Sequence, residues 1–162
     1  MTRVGDYAFW DCTSLNGITI PNSVVNIGNF AFYNCDSLTE ITIPSLVTEI
    51  KEGTFANCNG LGKVTISGPV TTIYNDAFKD CNKLTQVSIP NSVTFIQNRV
   101  FENCTSLIEI RIPSSVTKMW ARVFSGWTEE QTIYVPFKEG ELPSGWATSW
   151  NDGCSAKVVY AQ

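Results

Sequence analysis

Ala31-Phe32-Tyr33-Asn34-Cys35-Asp36-Ser37-Leu38-Thr39-Glu40-Ile41-Thr42-Ile43-Pro44-Ser45-Leu46-Val47-Thr48-Glu49-Ile50 carries two different apolar periods in one stretch. Ala31, Phe32, Cys35 and Leu38 fall at three- and four-residue spacings, as along one face of a helix, whereas Ile41 and Ile43 alternate about Thr42 as in a strand. The spacing predicts a short helical turn leading into a short strand. Pro44 ends that strand, because it has no N–H to donate and sets the chain into a turn. The apolar pair Val47 and Ile50 suits a second brief extended piece.

The same pattern recurs along the whole chain. Phe9, Phe32, Phe55, Phe78, Phe101 and Phe124 are separated by 23 residues each time, and Cys12, Cys35, Cys58, Cys81 and Cys104 keep the same step. Leu15, Leu38, Leu61, Leu84 and Leu107 follow it too, as do the columns that begin at Ile18, Ile20, Val24 and Ile27. One unit cannot bury its own apolar side. Stacked units place like residues over like at the strand spacing of about 4.8 Å and form parallel ladders. The expected class is a right-handed α/β repeat solenoid.

The unit G-x-x-A-F-x-x-C-x-x-L-x-x-I-x-I-P-x-S-V-x-x-I resembles the leucine-rich repeats, and in its A-F-x-x-C-x-x-L and I-P-x-S-V segments the BspA-like branch of them. The resemblance covers five consecutive units from Val4 to Met119 and most of a sixth. It implies a leucine-rich-repeat stack with the first-strand ladder on its concave side. It also implies an extracellular or cell-surface protein of bacteria or parasitic protists that serves adhesion or host-protein binding. The matching residues are core and turn positions, so the resemblance speaks to fold more than to function.

The register sets the expected organisation of a single domain, 1–162. Residues 1–4 read as the remnant of a preceding repeat, followed by full repeats at 5–27, 28–50, 51–73, 74–96 and 97–119. A partial repeat at 120–136 and a C-terminal cap at 137–162 complete it. A start in mid-repeat suggests a longer array; the alternative is a natural first turn that frays. After Pro136 the period is lost, and Trp146 and Trp150, with Trp127 in the cysteine column, suit an aromatic cap over the last coil's core. The rival reading of these tryptophans is a carbohydrate cradle.

Composition narrows the function classes. With Lys and Arg at 11 against Asp and Glu at 15, the net charge of −4 offers no basic stripe for nucleic acid. No apolar run is long enough for a membrane span, and no signal peptide follows Met1. There is no histidine, so the commonest general base and metal ligand are missing together. The column cysteines point the same way at successive levels and read as a ladder of buried thiols rather than as disulfides or zinc ligands; Cys154 stands outside it. Ser23, Ser92 and Ser115 occupy repeated turn positions, and Glu129, Glu130, Glu139 and Glu141 read as a solvated loop. Asn103-Cys104-Thr105 is a glycosylation sequon with a core cysteine in its middle. The expectation is a non-enzymatic protein with no cofactor and no metal.

Binding is expected on the outward positions of the first-strand ladder. One row is Gly17, Glu40, Lys63, Gln86, Glu109, Thr132 and the other is Thr19, Thr42, Thr65, Ser88, Arg111, Tyr134. The first row varies at every step, as a face free of packing constraint would, although a merely solvated sheet explains that equally well. The second ends in Arg111 and Tyr134, residue types enriched at interface hot spots. The partner would be a protein, such as one of the host extracellular matrix, or a glycan. The alternatives are a passive spacer and, more remotely, an ice- or crystal-binding solenoid using the threonine columns.

Overall fold

The computed structural model describes all 162 residues, which form thirteen short strands and no helix. Every strand pair is parallel and joins residues one coil apart, so the chain is a β-solenoid of about seven turns. The first ladder comprises β3 (Glu40–Ile43), β5 (Lys63–Ile66) and β7 (Gln86–Val87), then β9 (Glu109–Arg111), β11 (Thr132–Val135) and β13 (Lys157–Tyr160). Hydrogen bonding divides it into two three-stranded sheets, β3-β5-β7 and β9-β11-β13. Ile18–Ile20, the matching segment of the first coil, forms no strand. A second ladder carries β1 (Arg3–Val4) beside β2 (Asn26–Ile27). It then runs as five strands: β4 (Glu49–Ile50), β6 (Thr72–Ile73), β8 (Phe95–Ile96), β10 (Lys118–Met119) and β12 (Gly145–Trp146).

The expected helical turns are absent, which corrects the α/β class to an all-β solenoid. In the A-F-x-x-C segment the N–H groups of Phe30, Phe32 and Asn34 donate forward to the carbonyls of Glu52, Thr54 and Ala56 in the next coil, not back by four residues. The same forward bonds recur from Gly53, Phe55 and Asn57 and from Asp76, Phe78 and Asp80. Two left-handed residues per coil make a helix impossible: Tyr7, Phe30, Gly53, Asp76, Arg99 and Arg122 in one column, and Asp11, Asn34, Asn57, Asp80, Asn103 and Gly126 in the other. The second column holds only Asp, Asn or Gly, the residues that tolerate this conformation, at costs well below the roughly 1–2 kcal/mol paid by other side chains. The helix-like spacing has another origin. Trp10 N–H to Tyr7, Cys12 N–H to Phe9 and Leu15 N–H to Cys12 are tight turns closing every three residues, so apolar groups return inward at nearly a helical step.

The columns do form the core. Phe32, Phe55, Phe78, Phe101 and Phe124 are fully buried, and the phenyl rings from Phe9 to Phe124 stack near parallel with centroids 5.0 to 5.9 Å apart. Cys35, Cys58, Cys81 and Cys104 are buried and free, whereas Cys12, at the end of the column, is exposed. Each buried thiol donates to the carbonyl of the phenylalanine one coil back, for example Cys58 to Phe32 at 2.9 Å and Cys104 to Phe78 at 3.1 Å. Trp127 continues this row. Its indole N–H donates to the Phe101 oxygen at 2.9 Å, which is the acceptor a sixth cysteine would use.

Beyond Pro136 the chain keeps coiling at a changed spacing. β12 pairs with β10 through Lys118↔Gly145, and β13 pairs with β11 through Thr132↔Lys157. Trp146 and Trp150 are buried, and Trp146 donates its indole N–H to Val116 O at 2.9 Å.

Candidate binding face

Alternation along the first ladder decides which side chains face outward. In β3 the buried Ile41 and Ile43 alternate with exposed Glu40 and Thr42, and in β5 buried Val64 lies between exposed Lys63 and Thr65. The register aligns Glu40, Lys63 and Gln86, and Thr42 with Thr65. It likewise aligns Glu109 with Thr132 and Arg111 with Tyr134. Both expected rows therefore lie on one face, although Thr132 and Tyr134 are half-buried rather than fully exposed. Glu40 and Lys63 are neighbours in register without forming an ion pair.

This face is grooved. A trough of about 470 Å³ and mixed lining follows Lys63, Thr65, Ile66, Gln86, Ser88 and Pro90, and a second, polar one of about 380 Å³ meets it at Lys63 and Thr65 and extends to Thr19, Glu40 and Thr42. A third, of about 330 Å³ and mostly apolar, lies farther along beside Arg111, Tyr134, Pro136 and Tyr160. At its lip the Arg111 guanidinium sits 3.9 Å from the centre of the Tyr134 ring. Glu109 Oε1 is 3.7 Å from Arg111 Nη2, but both side chains are more than half exposed, so that pair is weak. Stacking thus fixes the guanidinium while leaving its N–H donors free for an acceptor. Burial against this apolar floor raises the Tyr160 phenol, with the charge of Glu139 adding to the effect.

Other candidates are placed differently. The hydroxyls of Thr71 and Thr94 donate to the backbone oxygens of Thr48 and Thr71 at 3.3 Å, so two hydroxyls of this threonine column bond within the stack. Ser92 and Ser115 donate to Val70 and Val93 oxygens, as turn serines do. Asn103 of the sequon donates to Asp80 at 2.7 Å beside buried Cys104. Cys154 is half-buried, and burial raises its thiol.

Sequence reasoning missed two aromatic surfaces. On the second ladder Trp120 packs edge-on against Phe95 with centroids 4.9 Å apart, and Lys51 lies 4.9 Å from the Tyr74 ring. Glu49 binds both Lys51 and the Tyr74 hydroxyl, and the Lys51 ammonium holds its carboxyl below the usual range. On the turn segments Tyr7, Trp10, Phe30 and Tyr33 make one cluster. The available signal was aromatic residues at positions outside the seven core columns.

The comparisons with known proteins agree with this repeat geometry. The BspA type leucine rich repeat region matches residues 2–130 in six copies. The chain belongs to that family. A leucine-rich repeat protein from Bacteroides ovatus superposes with a TM-score of 0.71 at 25% identity, over 100% of this chain and 47% of its own. One from Eubacterium ventriosum gives 0.69 at 32% identity, over 75% of this chain and 33% of its own. The leucine-rich repeat protein of T. pallidum gives 0.66 at 23% identity, over 85% and 64%, and speaks to fold alone. The chain spans about half the length of the Bacteroides protein and less than two thirds of the others. No curated protein matches it.

Proposed function

We propose that this chain is a protein-interaction module that recognises its partner along the first-ladder face, with Arg111 and Tyr134 as the anchor. The observation that carries this reading is the stacked guanidinium at the lip of the apolar groove. Arg and Tyr are among the types that dominate binding energy, and beside an apolar groove they would be desolvated once a partner covers them, while the two troughs beyond act as the rim. In this reading the stack is right-handed with that ladder on its concave side, and the buried Trp127, Trp146 and Trp150 close the core at the C-terminal coil. Family membership supports a role at a cell surface, in adhesion to a protein or glycan. Lacking one large apolar patch, the face suits a modest affinity.

The test is binding of the full chain to a panel of extracellular-matrix proteins and to a glycan array, repeated with Arg111→Ala and Tyr134→Ala. The expected result is a ligand whose binding weakens by about tenfold or more in each variant, the size of an ordinary hot-spot loss, with an unchanged melting temperature. Ligand binding that survives both substitutions overturns the assignment.

A further inference from the structure

Arg99 and Lys79 are cations that the stack satisfies internally. Arg99 commits Nε and Nη2 to the two oxygens of Asp76, at 2.8 Å each, and Lys79 reaches Glu102 at 3.0 Å. Arg111 makes no such bond. Its nearest carboxylate oxygen is Glu109 Oε1 at 3.7 Å, outside hydrogen-bonding distance. The Tyr134 ring, 3.9 Å away, holds the guanidinium by its face rather than through its N–H groups. A guanidinium that is oriented but unsaturated is a preformed fork for a planar oxyanion, and a carboxylate fits it through two parallel bonds.

The groove beside this fork sets what the carboxylate is attached to. Tyr134, Val135 and Pro136 belong to its middle coil, with Ile112 on the β9 side and Val159 and Ala161 on the β13 side. β11 is hydrogen-bonded to both β9 and β13, so the groove spans three joined coils. Its volume of about 330 Å³ lies at the bottom of the range of about 300–1,000 Å³ for small-molecule pockets and leaves room for one or two apolar side chains. Hydroxyls come only from Tyr134 and Tyr160, so a sugar ring would find few partners for its own. Nor is there a nest of donors for a chain terminus: the N–H groups of Ile112 and Ala161 already donate to the Tyr134 and Val135 oxygens, and Pro136 has none. The chemistry that matches both fork and groove is a side-chain carboxylate next to an apolar residue.

Given the Arg111–Tyr134 anchor proposed above, on which this rests, we infer that the groove binds an internal segment of a partner protein in which Asp or Glu adjoins Leu, Ile or Phe. The carboxylate closes on the Arg111 fork, and the apolar side chain lies against Val135, Pro136 and Val159. Glu109 then acts as an antagonist, because its carboxylate competes for the same guanidinium and repels the incoming one.

The experiment titrates the full chain, by fluorescence polarisation, with a labelled Gly-Gly-Leu-Asp-Phe-Gly-Gly peptide capped at both ends. Comparison ligands carry Asn in place of Asp, or Gly in place of Leu and Phe, and a hyaluronan tetrasaccharide supplies carboxylates without apolar side chains. The Asp peptide is expected to bind about tenfold or more tightly than any of these. Arg111→Lys, which keeps the charge and loses the fork, should weaken the Asp peptide about tenfold. Glu109→Gln should tighten it about threefold and leave the Asn peptide unchanged. Equal affinity for the Asp and Asn peptides that is still lost in Tyr134→Leu overturns this inference and leaves the binding face standing. Asp-selective binding that Arg111→Gln and Tyr134→Leu both leave intact overturns the face as well. Weaker binding in Glu109→Gln, preference for the tetrasaccharide, or no binding of the Asp peptide at millimolar concentration overturns the inference alone.

Discussion

Phe78→Ala tests whether the phenylalanine column holds the coils together. Phe78 is fully buried, with Phe55 and Phe101 stacked on its two faces at 5.6 Å. Truncating a buried phenylalanine costs about 3–5 kcal/mol through lost transfer energy and the cavity left behind. Two aromatic neighbours, each contributing about 0.5–1.5 kcal/mol, put this site near the top of that range. At roughly 2–4 °C per kcal/mol for a chain of this size, the melting temperature should fall by about 10–20 °C. Phe9→Ala is the internal comparison, because Phe9 is half-buried and has one ring partner, Phe32 at 5.0 Å. Its cost should be about 1–2 kcal/mol, less than half as large. Urea denaturation followed by tryptophan fluorescence reads both values, since Trp127, Trp146 and Trp150 are buried in the native state. Equal losses in the two variants, or a Phe78→Ala loss under about 2 kcal/mol, would refute column stacking as the main tie between coils.

The thiols should divide by position: under native conditions a small aromatic disulfide reagent should label exposed Cys12 at once and half-buried Cys154 slowly. It should not label Cys58, Cys81 or Cys104 until urea unfolds the chain: the hydrogen bond with Cys35 and then burial push the Cys58 thiol up, and burial pushes up those of Cys81 and Cys104. Trp127→Phe keeps most of the ring but removes one of the two donors to the Phe101 carbonyl, which retains the Cys104 N–H at 3.2 Å, so it should cost about 0.5–1.5 kcal/mol in the same urea assay. Glu49 has its carboxyl held below its unfolded value by Lys51 and Tyr74, so its contribution is present above pH of about 4.3 and is lost as pH falls further. Because that pair is partly exposed, Glu49→Gln should flatten the acid arm of a stability–pH profile by no more than about 1 kcal/mol.

The buried columns were legible because burial leaves few choices. A position between two stacked coils accepts only a side chain of the right size, so Phe32 through Phe124 repeat without variation. The turn was misread for a physical reason. Consecutive three-residue turns return Phe32, Cys35 and Leu38 to the interior at almost the step of a helix, so periodicity cannot separate the two. The discriminating signal was the column Asp11, Asn34, Asn57, Asp80, Asn103, Gly126, whose members share only a tolerance for left-handed backbone. Trp127 stands out in the sequence only as the aromatic member of the cysteine column. Its position against the Phe101 carbonyl shows it also taking the place of the thiol donor.

The outward rows followed from strict alternation about Ile41 and Val64, and the 23-residue step already placed Arg111 beside Tyr134. The aromatic surfaces were not legible in that way, since Tyr7 and Phe30, Trp10 and Tyr33, or Phe95 and Trp120 each occupy their columns for one or two coils only. A search for repetition discards such residues as variable. Yet in a stack where each coil touches only its neighbours, stability is a sum of local terms, and an exposed position can change without disturbing coils farther off. Such positions are where a repeat protein can acquire a binding site at little cost to its fold. Departure from the period on the surface is therefore informative in the same measure as adherence to it in the core. Here it singles out coils five and six for the Arg111–Tyr134 pair.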